Sequence, residues 1–217
     1  MKYPVAIWML AIGAFAIGMT EFVIMGLLPN VARDLDVTVS QAGQLITGYA
    51  LGVAIGGPIL VMLTIKWNRK HLLILLMAIF IVGNLAATFS PSYGYLMTSR
   101  IITSLAHGSF FGIGSILAAS MVSPSKRASA MALMFMGLSM SNILGVPFGT
   151  LIGQGLGWKM TFAVIAVIGT IALIGIIVLV PSQKEQIQSS VINELKVLKD
   201  KRLWLTLTIT LFGFSSV

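Results

Sequence analysis

The sequence predicts an all-α polytopic membrane protein with six transmembrane helices, and three observations support this fold class. Hydrophobic residues make up 57% of the 217 residues and charged residues only 9%, against roughly 25% charged in an ordinary soluble domain. Six apolar stretches each have about the 20 residues that a helix needs to cross a hydrocarbon core. Basic residues collect on one side of these stretches. The predicted spans are 5–29, 43–65, 72–90, 94–119, 130–153 and 160–180.

The first span carries one carboxylate, Glu21, in a run from Val5 to Pro29 that has no other acidic or basic side chain. The run is too long for the apolar region of a signal peptide and lacks a convincing small-residue cleavage site. We therefore expect it to stay in the membrane. The loop that follows is short and polar, and Ser40 is expected to cap the second span.

The fourth span contains two ionisable side chains, Arg100 and His107, which lie seven residues apart and therefore on one face of a helix. Glu21 and Arg100 are each eight residues from the predicted outer end of their span, so both lie about 12 Å deep. Matching depth permits pairing. A charge in hydrocarbon usually faces a partner or a cavity, so both are functional candidates. A purely structural ion pair, or an arginine that snorkels outward, is the alternative.

His107 has two interpretations. It extends a proton or substrate pathway from Arg100, or it is a structural histidine hydrogen-bonded to a neighbouring helix.

Small residues recur at every fourth position in the fourth and fifth spans and allow helices to approach closely. They are Gly108 and Gly112 in the fourth span, and Gly145, Gly149 and Gly153 in the fifth. Pro147 lies inside the second set, where it removes a backbone donor and is expected to kink the helix. Plain packing is one interpretation of this pattern, and a moving or sealing surface between helices is the other.

The chain divides into a six-helix domain over 1–180, a cytoplasmic linker over 181–202 and the start of a seventh helix over 203–217. In the linker, Ile187, Val191, Leu195 and Leu198 recur at helical spacing beside lysines, which predicts an amphipathic helix on the membrane surface. A flexible linker is the alternative. About 15 residues are too few for a span, so we expect the seventh helix to be truncated.

The basic residues predict a cytoplasmic N-terminus. With this topology eleven lie inside and only Arg33 and Lys159 lie outside, which follows the positive-inside rule. The net charge of +8 has the same origin, and no basic aromatic surface indicates nucleic acid. No cofactor or metal site is predicted, and the absence of cysteine excludes thiolate chemistry. The inside residues are Lys2, Lys66, Arg69, Lys70, Lys126, Arg127, Lys184, Lys196, Lys199, Lys201 and Arg202.

Three stretches resemble one known family. They are "MTEFVIMGLLPNVARDLDV", "SRIITSLAHGSFFGIGSILAASMVSPSKRASAMALM" and "SNILGVPFGTLIGQGLGWKMTF". The chain is similar to major facilitator superfamily transporters, and within them to bacterial proton-driven efflux permeases of the arabinose-efflux, purine-efflux and chloramphenicol-resistance group. The resemblance implies a twelve-helix protein, of which this chain would be the N-terminal six-helix half, the linker and the start of helix seven.

The resemblance also implies roles for site residues. Arg100 matches the fourth-helix arginine linked to proton coupling, followed by Gly108 and Gly112 at the family's spacing. Glu21 resembles the first-helix acid that such exporters use for protons or cationic substrates. The fifth-helix antiporter motif is matched by Gly145, Pro147 and Gly149.

The loop after the second span matches the family's cytoplasmic gate only in part. Ile65 stands where the family usually has aspartate, and Asn68 where it often has glycine, which places the charge relay of that gate in doubt. The matching residues are Gly57, Lys66, Arg69 and Lys70.

Residues and resemblance together predict an exporter that works by alternating access in a bacterial plasma membrane and exchanges protons for a small organic solute. Two alternatives come from other classes. An intramembrane enzyme would use His107 with Ser104, Ser109 or Ser115 as nucleophile, although no supporting carboxylate is identified. The second alternative is a truncated, non-transporting half that needs a second half for activity.

Overall fold

The computed structural model describes residues 3–64, 66–182 and 201–214, and this part of the chain is built from helices. Six of them are long and apolar enough to cross a membrane, which confirms the predicted fold class. They are α1 (Val5–Asp34), α2 (Val39–Leu63), α3 (Arg69–Thr88), α4 (Tyr93–Ser120), α5 (Pro124–Leu156) and α6 (Trp158–Leu179). A further helix, α7, covers Lys201–Phe214. The linker segment predicted to be amphipathic, 187–198, lies outside the described residues.

Side-chain caps set where three of these helices begin. Thr38 caps α2 in a capping box, in which the Gln41 backbone N–H donates to the Thr38 hydroxyl at 3.1 Å and the Thr38 N–H donates to the Gln41 side chain at 2.9 Å. The expected cap at Ser40 is therefore wrong, because α2 begins four residues earlier than predicted and Ser40 lies inside it. Asn68 caps α3 and Ser92 caps α4 with side-chain oxygens that accept backbone N–H groups of the first turn.

Helix α1 continues through Pro29 to Asp34, five residues beyond its predicted end. Proline costs a helix one backbone hydrogen bond, but tertiary contacts stabilise the extension. Val31 and Ala32 are buried, and the Trp158 indole N–H donates to the Asp34 carboxylate at 2.9 Å. Lys159 lies 3.5 Å from the same carboxylate, so the C-terminal end of α1 is fixed to the start of α6.

Two helices form the centre of the bundle. In the most apolar 18 residues of each span, 67% are buried in α1 and 61% in α4, but only 17% in α2 and 22% in α5. Helix α1 packs against α5 and α6, and α3 packs against α4 and α6. The core between them includes Ile17, Phe80, Phe110 and Phe162. Polar groups on α1 and α4 therefore lie deepest in the domain.

The two least buried of the six spans, α2 and α5, share an irregularity. Each contains a π-helical turn, Gly52–Gly56 in α2 and Ser141–Gly145 in α5. Each π turn is followed within two residues by a proline, Pro58 or Pro147. Since proline cannot donate to the carbonyl four residues earlier, a wider turn is a physical way to continue the helix. The irregularity expected at Pro147 thus takes the form of a π turn.

Candidate proton-coupling site

Three helices bring four ionisable side chains together, which we call the polar cluster: Glu21 on α1, Tyr49 on α2, and Arg100 and His107 on α4. Three of the four were predicted from the sequence as site residues. Tyr49 was missed. The cluster lies where the two central helices, α1 and α4, meet the N-terminal half of α2.

Arg100 lies at the centre of this cluster and is 1% exposed. Its Nε donates to the Leu45 carbonyl and its Nη1 to the Thr20 carbonyl, both at 3.1 Å. Nη2 has no hydrogen-bond partner among the described residues, and the guanidinium carbon lies 4.5 Å from the centre of the Tyr49 ring. The arginine therefore does not snorkel to the surface, and it links α1, α2 and α4.

Glu21 faces His107 and not Arg100. The distance from its Oε2 to the His107 Nε2 is 3.9 Å, and the described residues contain no ion pair within 4.0 Å between Glu21 and Arg100. As their matching depth permits, the two charges lie in one cluster. They do not contact each other directly, because Arg100 is bound by backbone carbonyls of α1 and α2. The Glu21 side chain is 28% exposed, so the carboxylate reaches the edge of this six-helix domain.

His107 has partners on two other helices, and both interpretations made from the sequence describe part of its surroundings. Its Nδ1 lies 3.2 Å from the Tyr49 hydroxyl, and its Nε2 faces Glu21. Phe111 lies against the ring with a centroid distance of 5.2 Å and stacks in turn on Phe135 of α5. The imidazole is therefore held on several sides and bridges α2 to α1.

A second polar contact supports the cluster from α3. The Thr20 hydroxyl donates to the Asn84 side-chain oxygen at 2.9 Å, and the Asn84 amide donates to the Phe80 carbonyl at 2.8 Å. Thr20 also supplies the carbonyl that binds Arg100. The residue next to Glu21 is thus fixed to α3 and α4 at once. Glu21 and Arg100 can be recognised in the sequence because each is a charged residue in an apolar run. Thr20 and Tyr49 cannot, because threonine and tyrosine are common in such runs and carry no charge.

The three serines proposed as nucleophiles all donate to backbone carbonyls. Ser104 bonds Ile101, Ser109 bonds Gly57 and Ser115 bonds Gly112. His107 instead faces Tyr49 and Glu21. A serine hydrolase needs a hydrogen bond between nucleophile and base, so the described geometry gives no support to that alternative.

The motif glycines fall into two classes. A Cβ on Gly108 would lie 2.9 Å from the Val53 carbonyl oxygen and 3.1 Å from the Gly57 Cα, so α4 meets the backbone of α2 there. A Cβ on Gly112 would have no heavy atom within 4 Å. Gly57, grouped with the gate loop in the sequence, therefore lies inside α2 as a helix contact.

The motif glycines of α5 face α1. A Cβ on Gly145 would lie 3.2 Å from the Phe15 ring, and one on Gly149 would lie 2.7 Å from both Met19 and Val23. The carbonyl of Gly149 also accepts a 2.8 Å hydrogen bond from Thr161 of α6. This face of α5 is thus in close contact with the half of α1 that leads to Glu21.

The basic residues of the predicted gate loop are spread over the end of the domain. Lys66 is exposed, and Arg69 and Lys70 are half-buried in the first turn of α3. Lys70 donates to the Ile177 carbonyl near the end of α6 at 2.7 Å, a favourable place for a cation. Ile65 lies outside the described residues.

Comparison with known proteins gives the chain a family. The sequence model of the Major Facilitator Superfamily matches residues 10–217. The inner membrane transport protein YdhP of Escherichia coli K12 is 46% identical over 98% of this chain and 55% of its own length. The chloramphenicol resistance protein of Streptomyces lividans is 32% identical over 82% of this chain and 46% of its own length.

Solved structures agree on the fold. The peptide transporter POT in complex with sulfate covers 97% of this chain with a TM-score of 0.75 at 15% identity, and the match takes 46% of that protein. The chain spans about half the length of the curated relatives it matches. It is a multi-pass membrane protein of helices, and it belongs to the major facilitator superfamily of transporters.

Proposed function

We propose that the chain forms one six-helix half of a secondary transporter that exchanges protons for a small organic solute and exports the solute by alternating access. Glu21 carries the proton, and Arg100 biases the protonation of Glu21 from within the same cluster. The glycine and proline face of α5 lets the domain move against its surroundings. The protein acts as a transporter and not as an enzyme.

The observation that carries this proposal is the position of Glu21. It is the acidic residue of the polar cluster, it lies in the most buried span, and yet 28% of its side chain is exposed. Ionisable groups inside a membrane domain mark ion and substrate pathways. A carboxylate that has protein on one side and an open edge on the other can gain a proton in one state of a transporter and release it in another.

The proposed substrate class is taken from the name of one relative. The name of the chloramphenicol resistance protein indicates a drug as its target. Drugs, sugars and purines are the solutes to test first in this chain. The lining of the site would come from both halves.

Proton-dependent efflux in inverted membrane vesicles tests the role of Glu21. We expect Glu21→Gln in a complete protein to abolish efflux driven by a proton gradient, because the amide cannot take up or release a proton in the working pH range. Asp34→Asn is the matched control, since Asp34 lies on the same helix but at its outer end, paired with Lys159. Unchanged gradient-driven efflux in the Glu21→Gln protein would contradict the assignment.

A second candidate is a half that does not transport until a second half joins it. Two observations favour it: the chain spans about half of its relatives, and only 17% of the apolar window of α2 and 22% of that of α5 are buried. The vesicle assay separates the two functions. Transport by the 217-residue chain alone would support self-sufficiency, and transport only after a C-terminal six-helix half is supplied would support the second candidate.

A further inference from the structure

Tyr49 touches both ionisable residues of α4 and was assigned no role by the sequence. It is 1% exposed, although its helix, α2, is the least buried of the six spans. The buried residues in the first part of that helix are only Ala42, Leu45 and Tyr49. Two of these three contact Arg100, Leu45 through its carbonyl and Tyr49 through its ring.

The hydroxyl of Tyr49 is placed to fix which nitrogen of His107 carries the hydrogen. A buried O–H donor needs an acceptor, and among the described residues the acceptor within reach is the His107 Nδ1 at 3.2 Å. In a neutral imidazole one nitrogen accepts and the other bears the hydrogen. If Tyr49 donates to Nδ1, the hydrogen lies on Nε2, and Nε2 is the nitrogen that faces Glu21.

The ring of Tyr49 acts on Arg100. The guanidinium carbon lies 4.5 Å from the ring centre, within the range of a cation–π contact. Because Nη2 has no hydrogen-bond partner among the described residues, the ring face and two carbonyls are the groups that hold this charge. The Arg100 side chain is thereby held against α2, and the group that faces the Glu21 carboxylate is His107.

We propose that Tyr49 is a positioning residue of the proton site: its hydroxyl fixes His107 with the Nε2 hydrogen toward Glu21, and its ring holds Arg100 apart from that carboxylate. The inference rests on the proposed function only in taking Glu21 as the proton site. The groups that face His107 in this arrangement are Glu21 from α1 and Tyr49 from α2, with Arg100 on its own helix.

The chain offers a direct spectroscopic test because it contains only two histidines, His71 and His107. We would label the full chain with 15N-histidine, reconstitute it in lipid nanodiscs and record the ring-nitrogen resonances where His107 is neutral. We expect the hydrogen of His107 on Nε2. We expect Tyr49→Phe to move the Nδ1 resonance of His107 and Glu21→Gln to move the Nε2 resonance, with His71 unmoved in both.

Tyr93→Phe is the matched control. The Tyr93 hydroxyl donates to the Gln41 carbonyl at 2.9 Å and so joins the same two helices, α4 and α2, away from the cluster. We expect it to leave both His107 resonances in place. A wild-type His107 with the hydrogen on Nδ1, or an Nδ1 resonance that Tyr49→Phe does not move, would overturn the inference.

Two further outcomes are informative. If Tyr49→Phe does not fold, the wild-type spectrum and Glu21→Gln decide together: a hydrogen on Nε2 and a shift confined to Nε2 support the geometry, and a hydrogen on Nδ1 or a shift confined to Nδ1 contradicts it. None of these spectra depends on transport. If the proposed export function fails, these spectra therefore still test the role of Tyr49.

Discussion

At the scale of single residues, Arg100 shows how a buried charge is held without a carboxylate partner. Two backbone carbonyls accept its hydrogens and an aromatic ring covers one side. The planar guanidinium suits this arrangement, because its donors point in fixed directions and its charge is spread over a flat group that can lie over an aromatic ring. A lysine ammonium, a single point with a flexible stem, cannot reproduce all three contacts.

We therefore expect Arg100→Lys to lower the free energy of unfolding by about 2 kcal/mol, the scale of one hydrogen bond to a charged group. Unfolding of the detergent-solubilised protein by titration with sodium dodecyl sulfate measures this value. Arg33→Lys is the control, since Arg33 is exposed at the end of α1. Equal stability of the two variants would show that the contacts of Arg100 contribute little.

The two motif glycines of α4, Gly108 and Gly112, predict opposite results for one substitution. Gly108→Ala would place its methyl group against the backbone of α2, which cannot move aside as a flexible side chain can. We expect a loss of about 1 to 3 kcal/mol, the usual cost of overpacking. Gly112→Ala meets open space and should cost nothing in the same unfolding experiment. A similar loss in both variants would mean that the approach of α4 to α2 is not as close as described.

At the scale of elements, the start of α2 depends on Thr38. Its capping box satisfies backbone groups that the first turn of a helix leaves without partners. We expect Thr38→Ala to lower the free energy of unfolding by about 1 kcal/mol, whereas Ser40→Ala, two residues further on, should have no measurable effect. The reverse order would support the cap that the sequence analysis placed at Ser40.

Sequence predicted the existence of each span better than its ends. Twenty apolar residues in a row have one stable solution in a bilayer, so six helices could be recognised from composition alone. Their ends depend on single contacts. Helix α1 passes Pro29 because Trp158 and Lys159, more than 120 residues away, bind Asp34. No local pattern contains that information.

The site was predictable to a similar degree. A charge among apolar residues draws attention to Glu21, Arg100 and His107. Their partners depend on the rotation of each helix about its axis, which small differences in packing decide. Matching depth permitted Glu21 and Arg100 to pair, but the structure brings them into one cluster without an ion pair between them. Depth also could not show that His107 lies between Glu21 and Tyr49.

At the scale of the whole molecule, the predicted orientation of the chain in the membrane can be measured without background labelling of native cysteines. The chain has no cysteine, so single cysteines are the only targets for a membrane-impermeant maleimide. Ser125 is exposed in the first turn of α5, and Gly155 is exposed near the end of that helix. With the N-terminus in the cytoplasm, we expect Ser125→Cys to be labelled in inverted vesicles and Gly155→Cys in right-side-out vesicles.

The controls for this experiment are the same vesicles opened with detergent, in which both cysteines should react. Labelling with the opposite sidedness would place the N-terminus outside. It would also turn the basic loop around Lys66 and Lys70 away from the anionic leaflet, against the positive-inside rule.

The π turns of α2 and α5 also change which residues lie on the same face of each helix. A π turn contains one residue more than an α turn, and each residue advances an α-helix by about 100°. Positions on the two sides of Gly52–Gly56 or Ser141–Gly145 are therefore out of phase by one step, and a helical wheel drawn through either turn assigns wrong neighbours. Removal of one residue from either segment would restore the α phase and rotate everything beyond it as a block. Single-residue deletions at these two places are thus a way to turn one end of a helix while its other end stays in register.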